Sequence, residues 1–379
     1  MTASTDFDVA ILGAGVVGLA CANRLATAGK RVVVLERQAT FGEETSSRNS
    51  GVIHAGLYYP SDSLKARTCV EGRQLLYERC QRYGIAHRKT GKLIVATEAA
   101  QLERLHQLSA QALRNEAGPV RFVTASELAR LEPQVRAIEA LFSPETGIVD
   151  VHELMYHHKL LASTAGATFS FRSQVVALER NNHGWSVLVQ PTAKAAEEPF
   201  QLTAQFVINS AGLYAEQVAQ LAGIDTGAQR LQVHWCKGDY FSISAKHRGL
   251  VQRLVYPLPS QAGLGVHVTL NLQGDLSAGP DTEYVDRIRY DVQGDKRAAF
   301  AQAVQQYLPA VSEEDLQPGY SGIRPKLQGP GEVFRDFVIR EHGADGAPGM
   351  IGLFGIESPG LTASEALSAQ VAKLIDSCL

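Results

Sequence analysis

The run Phe7-Asp8-Val9-Ala10-Ile11-Leu12-Gly13-Ala14-Gly15-Val16-Val17-Gly18 constrains the fold more than any other stretch of the chain. Val9 to Leu12 reads as a buried strand, and the Ala/Leu-rich residues from Val16 to Ala28, stopped by Gly29, read as a helix. Between them the glycines fall as Gly-x-Gly-x-x-Gly. Gly13 allows a tight turn, Gly15 lets backbone approach a pyrophosphate, and Gly18 lets the helix pack close to the strand. A second β-branched strand, Arg31 to Leu35, ends at Glu36, about twenty residues past the loop, where an acidic side chain takes ribose hydroxyls. The pattern predicts a βαβ unit for a dinucleotide with an unphosphorylated ribose, FAD or NAD rather than NADP.

With 379 residues the chain is long enough for about two domains. A net charge of −3 offers no basic surface to nucleic acid, so none is expected as a partner, and an acidic substrate would need local cations. The cysteines, Cys21, Cys69, Cys80, Cys236 and Cys378, form no Cys-x-x-Cys and join no histidine cluster, so no metal site is expected and the pattern suits a reducing compartment. Met1 to Thr5 pass straight into the first strand, and no apolar run reaches the roughly 18 residues of a membrane span. The expected location is therefore cytoplasmic, with peripheral contact at the inner face of a membrane as the alternative.

After Glu36 a hydroxyl-rich stretch, Glu43 to Ser50, reads as a loop leading into a helix start, where backbone NH groups and Arg48 could hold phosphate charge. The motif Thr45-Ser46-Ser47-Arg48-Asn49-Ser50-Gly51-Val52-Ile53-His54-Ala55-Gly56-Leu57-Tyr58-Tyr59, with Ser63-Leu64-Lys65-Ala66-Arg67 and Gly91-Lys92-Leu93-Ile94-Val95-Ala96, resembles the L-2-hydroxyglutarate dehydrogenase/oxidase group of the D-amino-acid-oxidase-like flavoproteins. The resemblance spans most of the chain and is far more specific than the glycine loop.

Further elements follow in order. Leu64 to Gly84 and Ala99 to Glu116 read as helices, and a short one begins at Thr124. Val151 to Ala165 reads as a helix, then Thr168 to Val189 as strands about a turn at Asn181 to Gly184. Phe206-Val207-Ile208-Asn209-Ser210-Ala211-Gly212 is a buried strand ending in small residues, the kind of edge against which a ligand lies. From Leu231 to Gly322 the period changes to two, including Gln232 to Phe241, Arg253 to Pro259 and Leu264 to Leu270, which indicates an antiparallel sheet. Met350 to Phe354, the Gly355–Gly360 turn and the helix to Leu374 repeat the strand–turn–helix theme. The expected fold is α/β: a discontinuous Rossmann-like FAD-binding domain (1–84, 147–230 and 323–379) with an inserted α+β substrate or cap domain (85–146 and 231–322) built on an antiparallel sheet.

The resemblance tilts the cofactor from NAD to FAD, because a second glycine element, Ala211-Gly212, joins the first. It implies FAD contacts at Gly13, Gly15, Gly18, Glu36, Arg37, Ser47, Arg48, Asn49, Ser50, His54, Val175 (beside the adenine), Ala211, Gly212, Gly355, Ser358, Gly360, Leu361 and Thr362. The helix after the Gly/Pro turn, running to Leu374, would turn its positive end toward the anionic edge of a reduced flavin. His54 is then a base, a hydrogen-bond partner of the flavin, or a point of covalent attachment, the last not favoured.

Oxidising an alcohol on a flavin requires a C–H bond aimed at N5, a base for the hydroxyl proton and charges that hold the substrate. His267, in Gly265-Val266-His267-Val268-Thr269, matches a histidine strand of the 2-hydroxyglutarate group and is the favoured base or orienting group, with His54 as flavin neighbour. Arg324, in Gly322-Ile323-Arg324-Pro325, resembles the superfamily's carboxylate clamp, for which guanidinium's bidentate geometry is suited. Lys237, Tyr240 and Tyr256 are candidates for the far end of a dicarboxylate, although the group commonly has arginine near Lys237.

The expected activity is FAD-dependent oxidation of a 2-hydroxy acid, L-2-hydroxyglutarate or a similar one, to the 2-oxo acid by hydride transfer to N5. The electron acceptor, a quinone, a dye-like acceptor or oxygen, is left open. The alternatives are an amino-acid or amine oxidase, a glycerol-3-phosphate-type dehydrogenase, and a flavin-binding sensor without turnover.

Overall fold

The computed structural model describes residues 5–193, 198–259 and 265–379, which form two compact units. The first comprises residues 1–47, 151–235 and 324–379, and the second residues 48–150 and 236–323.

The core of the first unit is a parallel array. Strand Phe7–Leu12 pairs in parallel with Val32–Leu35 on one side and with the second half of Phe200–Asn209 on the other. Ala347–Phe354 extends the array beside Phe206–Asn209, and Thr168–Ser170 extends it beside Val32–Leu35. Val9 to Leu12 and Val32 to Leu35 are wholly buried, as strands covered on both faces must be. The antiparallel hairpin Ser173–Asn181 and Gly184–Pro191 joins through the first half of Phe200–Asn209. Three helices, Val16–Thr27, Val151–Thr164 and Gly360–Ser377, pack together on the array. Buried Asn23 and Glu365 meet the two ring nitrogens of His158 at the seam between them.

The second unit is built on a sheet that includes Arg121–Thr124, Glu139–Ser143, Lys92–Ala96, Leu254–Pro257, Val268–Leu270 and Leu276–Ala278, in that order of neighbours. Its pairings there are antiparallel except for Leu254–Pro257 against Lys92–Ala96, so the expected antiparallel sheet contains one parallel step. Helix Leu64–Tyr83 starts where the Ser63 hydroxyl accepts from Ala66 NH and stops at Gly84, whose φ of 70° few other residues tolerate.

Three expectations shift. The second unit begins at Arg48 rather than at 85 and continues to Asp150 rather than 146, because Arg73 of the Leu64–Tyr83 helix donates to the carbonyls of Ala55 and Ala117, and Gly147–Val149 pairs with both His87–Arg88 and Val52–Ile53. The hydroxyl-rich stretch does not open an α-helix: Thr45–Ser47 is a single 3-10 turn, and the next α-helix begins at Leu64. The strand expected from Leu264 starts at Val268, Leu264 itself lying outside the described residues.

Candidate functional site

In the first unit, strand register brings Leu12, Leu35, Asn209 and Gly352 abreast, so the residues after them line one carboxyl edge. The loop glycines there have separable causes. Gly13 holds φ +106°, and a Cβ on it would lie 2.8 Å from the Ser210 carbonyl oxygen; a Cβ on Gly18 would lie 2.1 Å from the Gly13 carbonyl oxygen. The fold alone demands both. Gly15 is different: its φ of −72° suits any residue, and the single atom crowding a Cβ is the Ser46 hydroxyl at 3.0 Å. Glycine at 15 therefore leaves open the space before the first turn of Val16–Thr27, where helix NH groups attract phosphate. Ser46 belongs to the same edge, its hydroxyl accepting from Val16 NH at 3.0 Å.

Glu36 is buried there and accepts from Ala14 NH at 2.7 Å and Gln38 NH at 2.8 Å; burial raises its pKa, and these bonds oppose the rise. A carboxylate accepts at about four positions, so two bonds leave capacity for ribose hydroxyls. Arg37 is exposed, its guanidinium 4.2 Å from the Tyr214 ring centre. Ser210 donates to the carbonyls of Leu12 and Gly13, stapling the second glycine element to the first, and Gly212 follows at φ +54°. Val175 lies at a bulge in Ser173–Asn181. Gly355 holds φ +69°, Ser358 is exposed, Leu361 half-buried, and Gly360 and Thr362 are buried at the start of the last helix. Ser47 donates to the Glu44 carbonyl. These residues fit an ADP-like moiety: a glycine without a conformational reason, a helix N-terminus and a carboxylate with spare acceptor sites share one edge.

The second unit holds Arg48, Asn49, Ser50, His54, Tyr240, Tyr256 and His267. Arg48 lies over Tyr290 at 4.0 Å, and its carbonyl oxygen would meet a Cβ on Gly322 at 2.1 Å, which is why the arginine motif opens with glycine. Tyr240 stacks on Tyr320 at 4.4 Å and shares a hydrogen bond with Ser50, while Tyr320 donates to the Asn49 carbonyl.

Tyr256 and His267 stack with ring centres 3.8 Å apart, and His267 Nδ1 lies 3.2 Å from the Gly265 carbonyl. A carbonyl only accepts, so in that bond Nδ1 carries the proton and a neutral ring has its lone pair on Nε2. Lys92 completes the group: 1% exposed, its Nζ lies 4.5 Å from the Tyr58 ring centre and 4.6 Å from that of Tyr256. Burial lowers the Lys92 pKa to about 7. Burial first, then the Lys92 and His267 charges, lower that of His54 to about 3, so His54 is neutral across the physiological range. In the sequence Lys92 stands out only as a lysine opening an otherwise apolar strand, Leu93-Ile94-Val95-Ala96.

Lys237 is a correction. It is fully buried, pairs with Asp239 at 2.9 Å and donates to the Asp291 carbonyl, and Lys296 reaches the same Asp239 at 3.0 Å. Its charge is spent inside the second unit rather than offered to a dicarboxylate. Arg324 lies half-buried in strand Leu316–Lys326, on the first unit's side of the boundary.

Among the described residues no cluster of histidine, cysteine and acidic side chains could hold a metal, and no helix is long and apolar enough to cross a membrane.

The FAD dependent oxidoreductase (DAO) family model matches residues 8–374. L-2-hydroxyglutarate dehydrogenase, mitochondrial, of Arabidopsis thaliana is 39% identical, the match covering 96% of this chain and 82% of that protein. L-2-hydroxyglutarate dehydrogenase of Indibacter alkaliphilus is 28% identical over 89% of this chain and 92% of its own. Among solved structures, FAD-bound L-alpha-glycerophosphate oxidase from Mycoplasma pneumoniae superposes with a TM-score of 0.87 at 24% identity, covering 98% and 94% of the two chains. Glycine oxidase from Geobacillus kaustophilus gives 0.81 at 22% identity, covering 99% and 95%. At such identities these structures speak for the fold alone.

Proposed function

The chain belongs to the FAD dependent oxidoreductase (DAO) family, and from that premise we propose that it oxidises L-2-hydroxyglutarate, or a closely similar 2-hydroxy acid, to the 2-oxo acid. It is an FAD-dependent enzyme acting on a small molecule. FAD supplies the two-electron acceptor. The first unit's loop, with Gly15 and Glu36, would hold the ADP end, and Arg37, Ser47, Val175, Ala211, Gly212 and the Gly355–Thr362 segment would supply further cofactor contacts in that unit.

The observation that carries the chemistry is the Tyr256–His267 stack with Nδ1 on the Gly265 carbonyl. The stack stops the imidazole turning, and the carbonyl assigns the tautomer, so Nε2 can take the hydroxyl proton as the C2–H bond breaks. Buried His54, held neutral, adds no positive charge that would oppose protonation of His267. Arg324 is the proposed clamp for the C1 carboxylate, by the fork geometry of guanidinium. A cytoplasmic enzyme, or one resting on the inner face of a membrane, fits this reading, with a quinone or oxygen as the terminal acceptor.

Anaerobic mixing of the FAD-loaded protein with 2-hydroxy acids, amino acids and glycerol 3-phosphate tests the reading. Bleaching of the flavin by L-2-hydroxyglutarate or a similar hydroxy acid, and by neither other class, is the expected result. Preferential bleaching by amino acids or glycerol 3-phosphate would replace the substrate class, and no bleaching at all would leave a flavin-binding sensor.

A further inference from the structure

Lys92 is a cation that the second unit buries without a counter-charge. Among the described residues no carboxylate pairs with its Nζ, in contrast to Lys237 and Lys296, each of which has at least one. Helix Leu64–Tyr83 carries buried Lys65 and Arg73, and Arg73 donates to the carbonyls of Ala55 and Ala117; both are cations, and neither could neutralise Lys92. Parallel Leu254–Pro257 contributes Tyr256 as its titratable residue, and antiparallel Glu139–Ser143 sets Ser143 opposite Lys92. Helix Leu102–Arg114 turns Leu105 and Ala112 inward, while its Glu103, Arg104, His106 and Arg114 are exposed. Helix Leu64–Tyr83 brings the Cys69 thiol, and the segment after residue 53 brings His54 and Tyr58.

A buried ammonium is ordinarily paired, because desolvation disfavours its charged form. Two aromatic faces recover part of that cost but supply no anion. A second observation points the same way: the Tyr58 hydroxyl, whose ring lies under Lys92, is buried with no hydrogen-bond partner among the described residues. An orphaned donor beside an unpaired cation is the complement of a carboxylate, which neutralises the one and accepts from the other.

We propose that Lys92, with the Tyr58 hydroxyl, receives the second carboxylate of a dicarboxylate substrate, and that Lys92 takes up a proton from solvent as the anion arrives. This rests on the 2-hydroxy acid reading and narrows it to dicarboxylates. The depressed Lys92 pKa makes the uptake measurable: at pH 8 the free enzyme holds mostly amine, and the bound anion restores ammonium.

The test binds two 2-oxo acids, 2-oxoglutarate and 2-oxobutyrate, to the oxidised FAD-loaded protein at pH 8, by calorimetry in buffers of different ionisation enthalpy. The dicarboxylate should take up close to one proton and the monocarboxylate close to none. Lys92→Met should abolish the uptake, weaken 2-oxoglutarate binding at least about tenfold and leave 2-oxobutyrate within about twofold, with KM for L-2-hydroxyglutarate rising while kcat for flavin reduction holds. Tyr58→Phe should weaken the dicarboxylate alone by a smaller factor. The wild-type proton count needs no variant, so misfolding of one would not rescue the idea. Absence of uptake in the wild type, or equal losses for both ligands in Lys92→Met, overturns the proposal. If hydroxy acids bleach the wild-type flavin and Lys92 proves indifferent, only the Lys92 assignment falls; if 2-oxoglutarate binds with uptake but no hydroxy acid bleaches the flavin, the functional reading falls instead.

Discussion

The glycine loop of the first unit and the lysine–imidazole cluster of the second are candidate ligand sites built by opposite means. The loop works with backbone: three glycines within six residues, a helix N-terminus and one carboxylate, set by strands whose register is regular. The cluster works with side chains from separate segments, His54 and Tyr58, Lys92, Tyr256, and His267, with Lys92 set between the Tyr58 and Tyr256 rings and His267 held by the Tyr256 ring and the Gly265 carbonyl. A backbone site recognises what all dinucleotides share, whereas a side-chain site is where a substrate is chosen.

Substitutions in the two sites should therefore fail differently. The largest effect is expected from Gly18→Val: its Cβ would lie 2.1 Å from a carbonyl oxygen of the loop itself, and backbone cannot step aside as a side chain can. The purified variant should carry no flavin by absorbance, and full FAD occupancy would break the claim that the loop's packing is obligatory. His267→Ala should keep its FAD and lose flavin-reduction rate by about 10²- to 10⁴-fold in stopped flow, the usual contribution of a general base. An unchanged rate would move the proton to another group.

The cluster's buried charge also predicts a pH dependence. Lys92 has a folded pKa of about 7 against 10.5 in a free lysine. Below pH 10.5 the unfolded chain takes a proton that the folded chain refuses until about pH 7. Stability should thus fall as pH drops across that window, by at most about 5 kcal/mol from this group, and level off below it. Urea titrations between pH 7 and 10 should show the slope in the wild type and a flatter line in Lys92→Met; parallel lines would mean that Lys92 stays charged in the fold. The smallest of these effects is expected at Lys237, where Met leaves Asp239 with Lys296 alone. A loss of about 3 kcal/mol, the low end for breaking a buried pair, should appear in urea unfolding with KM unchanged within about twofold. A large rise in KM would return Lys237 to the substrate site.

What was legible in the sequence follows the same division. The Val9–Gly18 strand and loop, the helix starts at Leu64 and near Thr124 and the turn at Asn181 to Gly184 depend on neighbours in the chain, and each element formed where its local signals put it. Lys237 is taken by Asp239, two residues on along the same strand, a local partner; only the Asp291 carbonyl and Lys296, which reaches the same Asp239, come from a distant segment. Residues 48–84 join the second unit through a long-range contact: Arg73 donates to the carbonyl of Ala117, 44 residues away in the chain.

By itself the sequence determined the parallel nucleotide-binding core, the change to period-two strands after residue 230 and the family motifs around Arg48 to Tyr59, since these rest on residue spacing and on side chains too small or too apolar to be misread. Tertiary structure alone decided which charges are spent and which are kept. Lys237 and Lys92 are both buried on strands, yet one has the Asp239 carboxylate and the Asp291 backbone carbonyl as partners and the other two aromatic rings. A buried ammonium needs a compensating anion, and what differs is whether the fold supplies one.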